Sequence, residues 1–575
     1  MGQSDRGRGV SQMIGIEPAL LLSAAAFWPL ALAMLCVLPK LGPRMITALP
    51  LAPLPALAAA IYAPSGTEFG LPWLLLDGGI RLDDTRAVFL GGAAILWTLA
   101  GLYAARYLQN DQRAAGFALF WNLVLAGNVG VFIAADAATF YVSFALVSLM
   151  AYPLVIHDRK PASLRAGAVY IVLAVIGEVA LFAAFLMGSA AAGGSILIAD
   201  IRDTLAGPGT DPLILWLLIA GLGIKAGLMP LHIWLPVAHP AAPIPASAVL
   251  SGAIVKAGIF GLLAFLPWGT TWPISGTTLA LMGFAGLFIA ALLGAAQSNP
   301  KTVLAYSTVS QMGLIMGVCG VALATGLPAA ALLPILALYA LHHGLTKGAL
   351  FLGVGMASVW LRNSRPFFLL LMGALALSLA GLPLTAGALA KAAVKGPAGE
   401  IGAALIGFSA LTSGLVLARL MFTLPSATPD KNPPPAMMFA FLALVIAALS
   451  APFVVYGQIL GTDPDPTADL AKKIVEAWPL GLAVILAAAA AAVGMQAPRM
   501  PEGDLLEPLR RTALLAMAAF HAMSDTKASS DISTETDDAP PALTNIERIQ
   551  AAFADRAATA VAFALISGGL FFALI

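Results

Sequence analysis

The chain has 575 residues, of which 60% are hydrophobic and only 10% are charged, and its mean hydropathy is +0.91. A soluble domain of this length would carry far more surface charge, so the composition predicts a polytopic membrane protein. The formal net charge of +1, with basic residues scattered in short loops, gives no case for nucleic-acid binding.

The N-terminal segment has the basic start of a signal peptide, since Arg6 and Arg8 precede an apolar run. That run, over about 18–38, is long enough to span a bilayer and has no clear small-residue cleavage site, so it is predicted to be the first membrane helix. Cys36 and Cys319 each stand alone in apolar segments. The sequence therefore predicts no metal site, no disulfide and no bound cofactor.

A membrane-spanning helix needs roughly 20 apolar residues, and sixteen segments meet that requirement, which predicts an all-α fold. In chain order they are 17–38, 45–63, 87–107, 114–134, 137–157, 166–188, 212–228, 245–266, 276–296, 302–323, 329–358, 367–394, 401–423, 436–457, 478–495 and 557–575.

One hydrophilic stretch, residues 497–555, separates the last two predicted spans. Within it, 501–524 places leucines at helical spacing opposite Glu502, Arg510 and Arg511, a pattern typical of an amphipathic helix at the membrane interface. The residues that follow have the composition of a disordered tether. A plain solvated loop is the alternative.

Loop charge predicts the orientation, because cytoplasmic loops carry an excess of lysine and arginine. The basic residues on one side are Lys40, Arg44, Arg106, Arg113, Arg159, Lys160, Arg165, Lys301, Arg362, Arg365, Arg419 and Lys431, and those on the other are Arg81, Arg86, Arg202, Lys395, Lys472 and Lys473. The larger set is expected to be cytoplasmic. This places both termini in the periplasm of a bacterial inner membrane and residues 497–555 in the cytoplasm, although Arg6 and Arg8 act against that orientation.

The stretch 221–258, GLGIKAGLMPLHIWLPVAHPAAPIPASAVLSGAIVKAG, places charges and helix breakers at membrane depth. Lys225 lies about a dozen residues inside its predicted span and Lys256 about ten inside the next, too deep to reach the surface easily. Five prolines between them, beginning with Pro230, prevent a continuous helix. Since non-helical backbone at this depth is tolerated only inside protein or beside water, the stretch predicts a hydrated cavity. A lysine pair that only ties helices together is the alternative.

Further ionisable residues lie inside predicted spans. His343 and Lys347 are four residues apart and share one helix face, and Lys391 follows a second break at Pro383. Glu178 is the only acid well inside a predicted span. Corresponding breaks in two halves of a chain are typical of ion transporters.

Such a row of lysines, histidines and one acid can pass protons. Burial favours the neutral form of a lysine, and a nearby acid favours the charged form. His232, His239 and His342 could extend the row, although each alone is more often a structural hydrogen-bonding residue.

The stretch 221–258 resembles the signature of the antiporter-like proton-translocating subunits of respiratory complex I, Mrp-type cation/proton antiporters and membrane-bound hydrogenases such as formate hydrogenlyase. Similar motifs follow in NPKTVLAYSTVSQMG (299–313), HHGLTKGALFLGVG (342–355) and SLAGLPLTAGALAK (378–391). The matches are collinear over about residues 80–425, and PLHIWLPVAHPAAP favours the hydrogenase branch.

The resemblance implies about fourteen core helices in two inverted five-helix repeats, with broken seventh and twelfth helices and a proton path through the midplane. Lys225 falls at the family's seventh-helix lysine and Lys256 at that of the eighth. His343 and Lys347 fall at the eleventh-helix pair, and Lys391 at the twelfth-helix lysine or glutamate near the exit. The implied division is 1–110 for N-terminal helices, 111–266 and 276–425 for the two repeats, 436–495 for C-terminal helices, 497–555 for the amphipathic segment and 556–575 for the last span.

One departure from the family bears on mechanism. The family reads FYxFxELxS on its fifth helix, whereas this chain reads FYVSFALVS, with Ala145 in place of the glutamate. The family histidine of the eighth helix is Ser251 here. We expect Glu178 on the sixth helix to have taken over as the acid that faces Lys225. The alternative is a poorly conducting subunit that serves as scaffold.

The predicted function is a proton-translocating subunit of a multisubunit membrane complex, resembling those of NADH:quinone oxidoreductase or hydrogenase. The chain has no cofactor motif, so any redox energy is expected to come from partner subunits in the bilayer. Sodium sites favour carboxylates, and one deep acid favours protons over Na⁺ or K⁺. The alternatives are an Mrp-type monovalent cation/proton antiporter subunit and a non-conducting scaffold or membrane anchor for a cytoplasmic enzyme.

Overall fold

The structure is a computed structural model that describes residues 17–72, 76–360, 362–425 and 433–493, apart from the single positions 463, 466 and 468. The predicted interfacial segment 497–555 and the predicted last span 557–575 lie outside the described residues.

Helices form almost all of the described chain. The first half contains α1 (Pro18–Cys36), a 3₁₀ segment (Gly42–Leu51) leading into α2 (Leu54–Tyr62), α3 (Asp84–Tyr107), α4 (Ala114–Ile133), α5 (Ala137–Val155), α6 (Pro161–Ala191), α7 (Ile198–Leu205), α8 (Pro212–Ala226), α9 (Trp234–Ala241), α10 (Ile244–Val249), a π turn (Leu250–Ile254) and α11 (Val255–Phe265). The second half contains α12 (Pro273–Ala295), α13 (Pro300–Thr325), α14 (Ala329–Ala357), a short 3₁₀ turn (Arg362–Ser364), α15 (Arg365–Ala380), α16 (Ala386–Lys395), α17 (Gly399–Thr423), α18 (Pro435–Leu460), α19 (Leu470–Glu476) and α20 (Trp478–Ala492).

Twelve helices of the described chain are long and apolar enough to cross a membrane, and the pair α19 and α20, bent by 45°, adds a thirteenth crossing if it is one span. Two further predicted spans coincide with shorter helices, 212–228 with α8 alone and 367–394 with the pair α15 and α16. Fifteen of the sixteen predicted spans therefore have helical counterparts. The predicted class, a helical polytopic membrane protein, is confirmed.

Two spans are interrupted near their middles. Helix α8 ends at Gly227, with φ of 84°, and Pro230 lies in the segment that leads to α9. Helix α15 ends at Gly381, with φ of 96°, and is followed by Pro383. A left-handed residue ends a helix most easily when it is glycine, and the proline after it cannot continue the hydrogen-bond ladder. The other four prolines of the 221–258 stretch lie in or at the start of α9 and α10 instead.

The sequence did not predict an antiparallel hairpin, β1 (Thr67–Leu71) with β2 (Gly78–Leu82), which pairs Thr67 with Leu82. Buried Asp136 fixes the hairpin to the bundle, because its carboxylate accepts a hydrogen bond from the Gly79 N–H at 2.7 Å. The same carboxylate caps α5 through the Thr139 N–H at 2.7 Å.

Counting each span as one crossing, with consecutive spans in opposite directions, gives the bundle two faces. We call the face at which α1 begins the first face; it carries the hairpin, the end of α16 and the start of α19. The second face carries the ends of α1, α3 and α5.

Candidate functional site

Lys225 lies in the last turn of α8, directly before the break, and its side chain is buried. Its ammonium donates hydrogen bonds to Ser148 Oγ on α5 at 2.8 Å and to the Tyr170 hydroxyl on α6 at 3.5 Å. The Nζ atom also lies 5.5 Å from the Phe144 ring centroid. A charged lysine therefore has both polar and π-face partners here. A cavity of about 10 Å³, enough for a single water, adjoins it.

Glu178 on α6 is also buried, and its carboxylate accepts no hydrogen bond from any residue that the structure describes. It interacts electrostatically with Lys225, and the Ser148 hydroxyl lies beside both groups. Close helix packing brings them together, since a Cβ atom at the preceding Gly177 would lie 3.3 Å from the Gly221 carbonyl oxygen of α8. Ser148 is one helical turn beyond Ala145, the position where the family carries its glutamate.

Lys256 and His343 are in direct contact. Lys256 Nζ lies 2.7 Å from His343 Nδ1 and donates to the Ser251 carbonyl oxygen at 2.7 Å. The π turn that precedes α11 contains Ser251, and such turns are frequent at functional sites. All three residues are buried.

A chain of hydroxyl and carbonyl groups leads from this pair to Lys347. Ser251 Oγ lies 2.7 Å from Thr308 Oγ1, which donates to the Leu304 carbonyl oxygen at 3.0 Å. Lys347 Nζ donates to the same carbonyl oxygen at 2.9 Å. Lys256 and Lys347 are therefore joined through α13.

Lys391 and His342 flank the second break. Lys391 Nζ donates to the Ala380 carbonyl oxygen, which the end of α15 leaves available, at 3.0 Å, and lies 3.5 Å from Ser409 Oγ. His342 Nε2 lies 3.1 Å from Ser378 Oγ, which also accepts from the Gly387 N–H at 3.2 Å.

The other two candidate histidines lie in the core near the row. His239 is stacked on Phe351, with ring centroids 4.6 Å apart, and its ring nitrogens have no hydrogen-bond partner among the described residues. His232 is buried with its ring centroid 6.3 Å from that of Tyr306.

Sequence reasoning found the ionisable residues but missed the hydroxyl groups that connect them. These are Ser148, Tyr170, Thr308, Ser378 and Ser409. Serine and threonine are common in membrane helices for many reasons, so their spacing alone gave no signal. Ser251 was noted only as a departure from the family.

Together these groups form three separated clusters of donors and acceptors inside an apolar bundle. Each cluster holds a lysine that can carry a proton and a neutral or acidic group that can accept one. Such a row can hold and pass protons between positions, given water in the gaps.

The sequence of the chain is similar to those of several known proteins. Residues 134–417 match the family described as "NADH:quinone oxidoreductase/Mrp antiporter, TM", and this range contains every buried lysine named above. Hydrogenase-4 component B of Escherichia coli is 35% identical over 306 residues, which is 50% of this chain and 44% of that protein. NADH-quinone oxidoreductase subunit N of Desulforudis audaxviator is 32% identical over 329 residues, which is 52% of this chain and 63% of that one.

The solved Mrp complex from a Dietzia species contains a chain with the same fold, with a TM-score of 0.70 and 21% identity over 92% of this chain and 64% of that one. The chain spans about half the length of the curated relatives that it matches.

Proposed function

Since the chain belongs to the family of antiporter-like membrane subunits, we propose that it translocates protons as one subunit of a larger membrane complex. The observation that carries this proposal is the buried connection from His343 through Lys256, Ser251 and Thr308 to Lys347. A bundle stabilised by apolar packing alone gains nothing from burying two lysines, one of them in contact with a histidine.

In the proposed path, Glu178 and Lys225 form the first proton-exchanging pair and Lys391 is the last lysine before the first face. Glu178 takes the role that the family assigns to the glutamate missing at Ala145. The relatives' names include hydrogenase and quinone oxidoreductase components, which supports membrane partner subunits for this chain. Loop charge supports a bacterial inner membrane with the first face on the periplasmic side.

The test is proton flux into vesicles that contain the full chain with its co-purifying subunits, driven by a potassium-diffusion potential. We expect Lys256→Met to lower the flux at least about tenfold, because proton transfer by a positioned group contributes at least that much. Lys40→Met, which removes an exposed lysine from a loop, is the matched control and should keep the wild-type flux. Equal flux in wild type, Lys256→Met and protein-free vesicles would leave only a scaffold role.

An Mrp-type antiporter is the second candidate, favoured by the shared fold with a chain of the Mrp complex. The same vesicles distinguish an antiporter from a proton-only path when a proton gradient replaces the potassium-diffusion potential. Release of trapped sodium or potassium coupled to proton entry supports the antiporter. Proton flux that does not depend on either cation supports the proton-only path.

A further inference from the structure

The break between α15 and α16 opens into a cavity of about 100 Å³, room for several water molecules. Lys391 lies at its buried side, and Thr385 and Pro383 of the break line its wall. Lys395 and Glu476 also line it, and both side chains are partly exposed at the first face. The cavity therefore extends from the last buried lysine of the path to the surface.

An ion pair lies at the exposed end of this cavity. Lys395 Nζ, one helical turn beyond Lys391, donates to Glu476 Oε2 at 2.8 Å. The carboxylate comes from α19, a helix outside the matched family range of 134–417. The pair joins the broken span to the last described span across the cavity mouth.

We propose that Glu476 is the outermost proton acceptor of the path and that its ion pair with Lys395 closes the mouth of the cavity. The inference rests on the proposed function, because it needs protons to leave Lys391 toward the first face. A proton passes from the Lys391 ammonium through cavity water to a Glu476 oxygen, leaving a neutral amine and a neutral carboxylic acid. The acid then releases the proton to water at the first face and becomes a carboxylate again.

In this arrangement, protonation of Glu476 is coupled to opening of the cavity mouth. A neutral Glu476 no longer attracts the Lys395 ammonium, so proton arrival weakens the contact that closes the mouth. The charged Lys395 then repels protons that approach Lys391 from the first face. Two more lysines of α19 lie nearby: Lys472 stabilises the Glu476 carboxylate between transfers, and Lys473 lines the cavity and donates to the Asp465 carbonyl oxygen at 3.3 Å.

The experiment uses the full chain with its co-purifying subunits in vesicles, with proton flux toward the first face measured for four variants. We expect Glu476→Gln to lower the flux at least about tenfold, since the amide keeps the size of the side chain but accepts no proton. Glu476→Asp should retain most of the flux. Glu400→Gln is the matched control, because it removes an exposed carboxylate from the same face without lining the cavity.

Lys391→Met separates this inference from the proposed function. Loss of flux in Lys391→Met with wild-type flux in Glu476→Gln would overturn the role of Glu476 alone. Wild-type flux in both variants would overturn the path through Lys391 as well.

A pH profile excludes a merely structural effect. In the wild type, the flux should fall as the pH at the first face falls through the titration of Glu476, because a protonated acid cannot accept the next proton. Glu476→Gln should lose this dependence. An unchanged profile in the variant would overturn the proposal.

Discussion

Ser148 lies between Glu178 and Lys225, the proposed first proton-exchanging pair. Its hydroxyl accepts from Lys225 Nζ at 2.8 Å and donates to the Phe144 carbonyl oxygen at 2.9 Å, while it lies beside Glu178. The hydroxyl has a single proton, so it joins Lys225 to Glu178 only when it turns that proton from the Phe144 carbonyl oxygen to the Glu178 carboxylate.

We therefore expect Ser148→Ala to slow proton flux several-fold without unfolding the protein, because one buried hydroxyl contributes only about 1 kcal/mol to stability. Ser148→Thr keeps the hydroxyl and should retain most of the flux. The measurement is vesicle flux together with thermal unfolding in detergent. Equal flux in the two variants would remove Ser148 from the path.

At the scale of elements, the Lys256–His343 contact depends on how closely two helices cross. A Cβ atom at Gly344 of α14 would lie 2.6 Å from the Gly252 carbonyl oxygen, and one at Gly252 would lie 2.7 Å from the Gly344 carbonyl oxygen. Both obstacles are backbone atoms, so neither helix can make room without moving. This crossing sets the register of Lys256 against His343.

Gly344→Ala is expected to destabilise the protein by about 1–3 kcal/mol, the usual range for overpacking. It should also reduce proton flux, because the two helices must separate. Gly373→Ala is the control: it lies inside α15 with no atom within 4 Å of the added Cβ, so the better helix propensity of alanine should make it neutral or slightly stabilising. Thermal unfolding of both variants tests the difference, and an equal shift would contradict the crossing argument.

The helices and their breaks also show how much of the fold the sequence could predict. The spans could be predicted from the length of each apolar segment, and the two breaks from Pro230 and Pro383, because both signals are local in the sequence. The hairpin was missed because Asp136 and Gly79, which fix it, are 57 residues apart. The π turn was missed because it depends on tertiary packing around Ser251. Glu178 and the four lysines of the site could be predicted because a charged side chain is costly in hydrocarbon, whereas the distances between them required the fold.

For the whole molecule, the proposed function requires partner subunits. We expect purification in mild detergent from its own membrane to recover further membrane subunits with it, because the described bundle exposes large apolar side chains such as Ile401 and Ile274 that either lipid or protein must cover. Mass spectrometry identifies them. Redox-cofactor subunits would indicate a redox-driven complex, and only small hydrophobic subunits would indicate an antiporter complex. A chain recovered alone would contradict the multisubunit assignment.

Among the buried side chains of the described spans, basic groups outnumber acidic ones. Among the described residues, four lysines are buried within the spans, Lys225, Lys256, Lys347 and Lys391. Two carboxylates are buried as well, but Asp136 caps α5 and holds the hairpin, which leaves Glu178 as the buried acid beside a lysine. With so little negative charge to balance them, each lysine that becomes an ammonium ion raises the free energy of charging the next, because like charges repel more strongly in a medium of low dielectric constant. Under the proposed function, we therefore expect the row to hold few protons at a time. Acidifying the supplying face should raise the proton flux only until the row is filled, after which the flux is set by departure at the far end.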